Sequence, residues 1–141
     1  MSKLTLVQAN KIVEAALAKA REMKIKPLAV AVLDDAGHVK SLQREDGASM
    51  FRNDVAIGKA WASVGMGAAS RVLLQRAKEN PQFFGALSAT AQGKFLPQTG
   101  AVVIKDAQGQ VIGAVGASGG TGDEDELICI AGVEAAGLAS G

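Results

Sequence analysis

Apolar residues recur at helical spacing near the start of the chain, where Val13, Ala16, Leu17, Ala20 and Met23 fall on one face. Thr5 and Gln8 have the spacing of a capping box, so a helix is expected from Leu6 to about Lys24. Pro27 closes it. The pattern then changes: Leu28–Leu33 is a continuous apolar run and predicts a buried strand. Asp34-Asp35-Ala36-Gly37 is a turn leading into a second strand at His38–Gln43.

Helical spacing returns from about Ser49 to Met66, with Ile57, Ala60, Trp61 and Val64 as the buried set. Gly58, Gly65 and Gly67 weaken this helix, so close packing has to compensate. Ser70 can cap a short helix through Glu79, which Asn80-Pro81 stops. Gln82–Gly100 shows no clear period. A long segment of that kind is usually functional or wraps a neighbour, and Phe83, Phe84, Phe95 and Leu96 could wall a flat hydrophobic ligand.

A second hairpin follows, with strands at Ala101–Lys105 and from Gln110 and a turn at Asp106–Gly109. Its turn chemistry echoes that of the first. Val111–Glu126 then runs from an apolar strand through a glycine-rich loop into four consecutive carboxylates. Gly113 and Gly116 admit a close neighbour. Asp123 and Glu126 have capping-box spacing for a last helix, from about Glu124 to Leu138, burying Leu127, Ile130, Ala131 and Ala135. The order α-β-β-α-α-β-β-α makes residues 1–141 a single α+β domain, with helices against a mainly antiparallel sheet.

Charge and composition remove several function classes. A net charge of +1 offers no electrostatic footprint for nucleic acid or anionic membrane, and 4% aromatic residues leave little for base stacking. Met1–Asn10 is polar and caps a helix, unlike a leader or a membrane span, so a cytoplasmic protein is expected. The single cysteine, Cys129, excludes an internal disulfide and a cysteine-rich zinc site, and is expected as a buried thiol. Abundant glycine and alanine suit tight subunit packing as well as a compact core.

The strand, glycine loop and helix start would suit a phosphate. No G-x-x-x-x-G-K-[ST] is present, however, and the acids at 123–126 would repel one, so no nucleotide is indicated. These acids read either as a solvated, capped helix start or as contributing Asp125 or Glu126 to a ligand pocket. The loop also supplies the Ser118 and Thr121 hydroxyls. Arg44 and Arg52 flank Asp46-Gly47, and Lys59 follows inside the helix; surface ion pairing and carboxylate binding both fit them. His38, the only histidine, reads as a solvated strand-start residue or as a haem or metal ligand. No spacing supports a structural metal site, and no nucleophile elbow precedes a serine. The residues alone reach a small-ligand pocket of mixed character and leave open whether a reaction is catalysed.

Three segments carry a resemblance: AVLDDAGHVKSLQREDGA, DVAIGKAWAS and VIGAVGASGGTGDEDELICIAG. In order and spacing they resemble the GlcG/HbpS-like family of haem-binding proteins, which includes the C-terminal domain of some corrinoid adenosyltransferases. The chain departs at Pro97-Gln98-Thr99-Gly100, where many relatives carry Pro-Gly-Gly. The resemblance implies a profilin-like arrangement, homo-oligomers in multiples of a dimer up to octamers, and binding of haem or a related tetrapyrrole. The expected ligand residues are then Arg44, Lys59, Ser118, Thr121, Asp125 and Glu126, with His38 or Thr121 as axial haem donor. The alternative is a metal-independent enzyme of a degradation pathway. There Arg44 or Lys59 would hold a small organic acid, and Asp125 or Glu126 would transfer protons.

Overall fold

A computed structural model describes residues 3–141, so the first two residues of the polar Met1–Asn10 stretch lie outside it. The elements are α1 (Leu6–Glu22), β1 (Ala29–Asp34), β2 (Val39–Arg44), α2 (Phe51–Met66), α3 (Ser70–Glu79), α4 (Pro81–Thr90), β3 (Ala101–Lys105), β4 (Val111–Ser118), α5 (Gly122–Ala135) and β5 (Ala139–Ser140). All strands pair antiparallel in the order β2-β1-β4-β3-β5. The α+β arrangement and its element order match the sequence reading, with α4 and the short β5 added.

Alternation along the central strands sorts the core into two layers. Val30, Val32, Val115 and Ala117 face α1 and α5, joining Ile12, Val13, Ile128 and Val133 in the larger cluster. Ala29, Ala31, Leu33 and Ala114 point to the other face and meet Ala56 and Ala60 of α2. Small residues meet on this side, and the helix sits close. A Cβ on Gly116 would collide with the Ala56 carbonyl and lie 3.1 Å from the Ala60 nitrogen.

Both hairpins turn on an aspartate. Asp34 Oδ1 accepts the backbone N–H groups of Ala36 and His38, each at 3.0 Å. Asp106 Oδ1 does the same for Gln108 and Gln110 at 2.9 Å. Each turn then needs a left-handed residue, supplied by Gly37 (φ 83°) and Gly109 (φ 78°).

Two expectations are corrected. Gln82–Gly100 is not aperiodic throughout, because Pro81 opens α4 at its first helical turn, where a missing N–H costs nothing. Its Phe84 packs with Phe95 and Leu73 into a small cluster, while Phe83 is exposed. The last helix starts earlier, with Thr121 as N-cap and Glu124 as its box partner. The buried residues are Asp125, Ile128, Cys129, Gly132 and Val133; the expected Ile130 is partly buried against the same core, while Leu127 is exposed.

Candidate functional site

Helix α2 carries three faces. Ala56, Ala60 and Ser63 go down onto the sheet side. Asp54, Ile57, Gly58 and Trp61, at i, i+3, i+4 and i+7, line a cavity of about 640 Å³ on one flank. Arg52, Val55 and Lys59, at i, i+3 and i+7, line a cavity of about 460 Å³ on the other. Both volumes fall in the usual range for small-molecule sites.

The second cavity gathers most of the candidate residues. Lys59, Ser118, Thr121 and Asp125 all line it, brought together from α2, the end of β4 and the start of α5. The Lys59 ammonium donates to the Ala117 carbonyl at 3.0 Å and to Asp125 Oδ2 at 3.2 Å. Asp125 Oδ1 also accepts the Gly120 N–H at 3.0 Å. This ion pair is closed to water, with side-chain exposures of 7% for Lys59 and 1% for Asp125. Gly100 leaves room for it: a Cβ there would come within 2.6 Å of Lys59 Nζ and 3.1 Å of Asp125 Cβ.

Burial pushes the Asp125 carboxyl above its ordinary value of 3.8, against the opposing pull of Lys59 and the Gly120 N–H. Cys129, fully buried behind the pair, has its thiol pushed far up, by burial first and by the charge on Asp125 second. It stays a neutral, inert thiol whose Sγ donates to the Gly100 carbonyl at 3.6 Å.

Arg44 is elsewhere. It leaves the edge strand β2 and donates to the Ala48 carbonyl at 2.7 Å, closing its own loop. Arg52 stands in this cavity instead, its Nη1 donating to Ser118 Oγ at 2.9 Å. Glu126 is drawn off to α3, where Arg71 binds it at 3.2 Å and also holds Asp123. Thr121 accepts the Glu124 N–H at 3.2 Å, so its hydroxyl is committed to the cap.

The first cavity holds His38. The imidazole stands exposed at its mouth beside Gly37, and none of its ring nitrogens has a hydrogen-bond partner among the described residues. Trp61 and Ile57 supply its apolar wall, and Lys94 comes from the loop after α4. The sequence reading named Trp61 only as core and did not single out Lys94. Among the described residues no group of three or more His, Cys, Asp or Glu side chains could hold a metal ion. None of the described helices is long and apolar enough to cross a membrane.

An antiparallel sheet between two helix layers, with small-molecule-sized cavities on both flanks of one sheet-packed helix, defines a profilin-like α+β domain. Residues 4–134 match the family described as haem degrading protein HbpS-like, and the chain belongs to that family. It is 30% identical over 125 residues to an uncharacterized 15.0 kDa protein from the dhaT-dhaS intergenic region of Citrobacter freundii, covering 89% of this chain and 86% of that one. Among solved structures it resembles the Klebsiella pneumoniae protein ORFY, with 26% identity, coverage of 97% and 93%, and a TM-score of 0.87. It also resembles a double mutant of HbpS from Streptomyces reticuli, at 28% identity, coverage of 95% and 87%, and a TM-score of 0.82. A PduOC:heme complex shares the fold at 24% identity, with 99% of both chains covered and a TM-score of 0.88.

Proposed function

We propose that the protein binds haem or a related tetrapyrrole in the cavity lined by His38 and Trp61. The observation that carries this reading is an exposed, unpartnered His38 beside Trp61 and Ile57 in the lining of a cavity of about 640 Å³. The donor set fits such a group. A neutral imidazole is the commonest protein ligand to haem iron, the Trp61 and Ile57 wall suits a flat macrocycle, and Lys94 offers a cation for a propionate. When bound, the group would supply an iron centre; His38 would hold it and Trp61 would exclude water from one side. The family description and the fold shared with a haem complex support the reading. Thr121 is the weaker candidate donor, since its oxygen already caps α5.

Titration with hemin tests this. Saturable binding should appear as a shifted Soret band together with quenching of Trp61, the only tryptophan. His38→Ala should alter the band and weaken binding, whereas Thr121→Val should leave the spectrum alone. Absence of saturable binding would refute the reading, and binding untouched by His38→Ala would remove this cavity from it. The protein is further proposed to work as an oligomer, a reading supported by exposed Val7, Met50, Phe51 and Phe83. A monomer mass by light scattering at micromolar concentration would rule that out.

A further inference from the structure

We propose that the cavity between Arg52, Lys59 and Ser118 is a second binding site, for a small monocarboxylate carrying a hydroxyl or carbonyl oxygen beside its acid group. This does not rest on the tetrapyrrole reading, because the two cavities share no lining residue.

Donor capacity in this cavity is left unused. An ammonium has three N–H groups, and Lys59 commits two, to Ala117 and Asp125. The third belongs to a side chain more than nine-tenths buried that nevertheless lines the cavity. Arg52 has five N–H groups, of which Nη1 meets Ser118 and Nε lies 3.4 Å from Ser49 Oγ. No carboxylate pairs with it among the described residues. The Ser118 hydroxyl accepts from Arg52, so its own proton is free to be donated, and its side chain is buried.

Spacing and charge favour the same class of ligand. Arg52 and Lys59 bond to consecutive residues of one strand, Ser118 and Ala117, so both cations reach the same end of β4 and line the same cavity. Asp125 neutralises Lys59, and Asp123 on the rim is held by Arg71. That leaves the charge of Arg52 for a single anionic group. A planar guanidinium suits a carboxylate, and the Lys59 N–H and Ser118 O–H remain for the neighbouring oxygen. Val55 and Leu74 give the rest of the wall an apolar surface for a short alkyl tail.

Calorimetric titration with lactate, pyruvate and acetate, and with lactamide as the uncharged counterpart of lactate, is the test. Lactate or pyruvate should bind saturably, acetate more weakly, and lactamide not at all. Arg52→Gln, a half-buried position whose loss leaves the Lys59–Asp125 pair intact, should weaken binding by about tenfold or more. His38→Ala should leave the acid's affinity unchanged while disturbing hemin binding, so failure of one site is visible apart from the other. Lys59→Met/Asp125→Leu, checked for folding by circular dichroism, should abolish the acid's binding. Three outcomes overturn the proposal: no saturable binding of lactate or pyruvate at tens of millimolar, equal binding of lactamide, or unchanged affinity in Arg52→Gln.

Discussion

Replacing Lys59 by Met removes one charge from a pair that water does not reach. Asp125, with 1% side-chain exposure, would keep only the Gly120 N–H as partner. Breaking a buried ion pair on one side costs about 3–5 kcal/mol, because the remaining charge stays buried without compensation. For a domain of this size that corresponds to a fall in Tm of about 10–20 °C. The loss should depend on pH in a definite direction. Burial already holds the Asp125 pKa above 3.8, and removing Lys59 takes away the strongest opposing influence. The folded variant therefore binds a proton more readily than the unfolded chain. Its stability is greatest in acid and declines as pH rises from 3.8 to the raised folded value, by about 1.4 kcal/mol per unit. Above that value the decline stops. Urea unfolding of wild type, Lys59→Met, Asp125→Asn and Lys59→Met/Asp125→Leu at pH 5 and pH 8 measures all of this. The double variant should recover most of the lost stability, since two apolar groups bury without penalty. A Lys59→Met loss under about 1 kcal/mol at pH 8, or one that grows on acidification, would refute the reasoning.

Three other predictions need only denaturation curves. Thr121→Ala should cost about 1 kcal/mol as the loss of an N-cap, whereas Asp123→Ala, at an exposed position, should leave the midpoint unchanged; the opposite result would return the cap to Asp123. Gly116→Ala should destabilise by about 1–3 kcal/mol, because a Cβ there meets the backbone of α2, and a neutral result would mean the helix can lift off β4 freely. Asp34 is partly buried, which opposes ionisation, but the His38 and Ala36 N–H groups outweigh this and hold its carboxyl below the usual value. The stability it contributes is therefore present above 3.8 and lost as pH falls through the folded value. Asp34→Asn should remove that part of the acid transition, and an identical profile would exclude the turn as its source.

Local signals carried the fold a long way. Thr5 and Gln8 marked α1, the apolar runs marked β1, β3 and β4, and glycines after aspartates marked both turns. Errors arose where two local readings had equal spacing. Thr121 with Glu124 and Asp123 with Glu126 are both three apart, and the reciprocal hydrogen bonds form between the first pair, while Arg71 takes up Asp123 and Glu126. Asn80-Pro81 both ends α3 and begins α4, so reading the proline as a stop hid the next helix. The candidate site was legible as residue types and not as partners. Lys59 and Asp125 lie 66 positions apart, and no periodicity relates them. Arg44 and Arg52 looked alike in sequence. What separates them is that one leaves an edge strand and the other a helix packed over β4.

The close seat of α2 on Gly116 gives this helix a further property, that of a fixed partition. Backbone atoms, rather than adjustable side chains, set its height above β4, so it has little freedom to roll toward either flank. Positions 54, 57, 58 and 61 furnish one chamber and positions 52, 55 and 59 the other, with no residue in common. A substitution that changes only the side chain facing one chamber should therefore leave the lining of the other as it is. Each chamber can then be reshaped for a new occupant, by selection or by design, while the wall and the chamber behind it stay as they are.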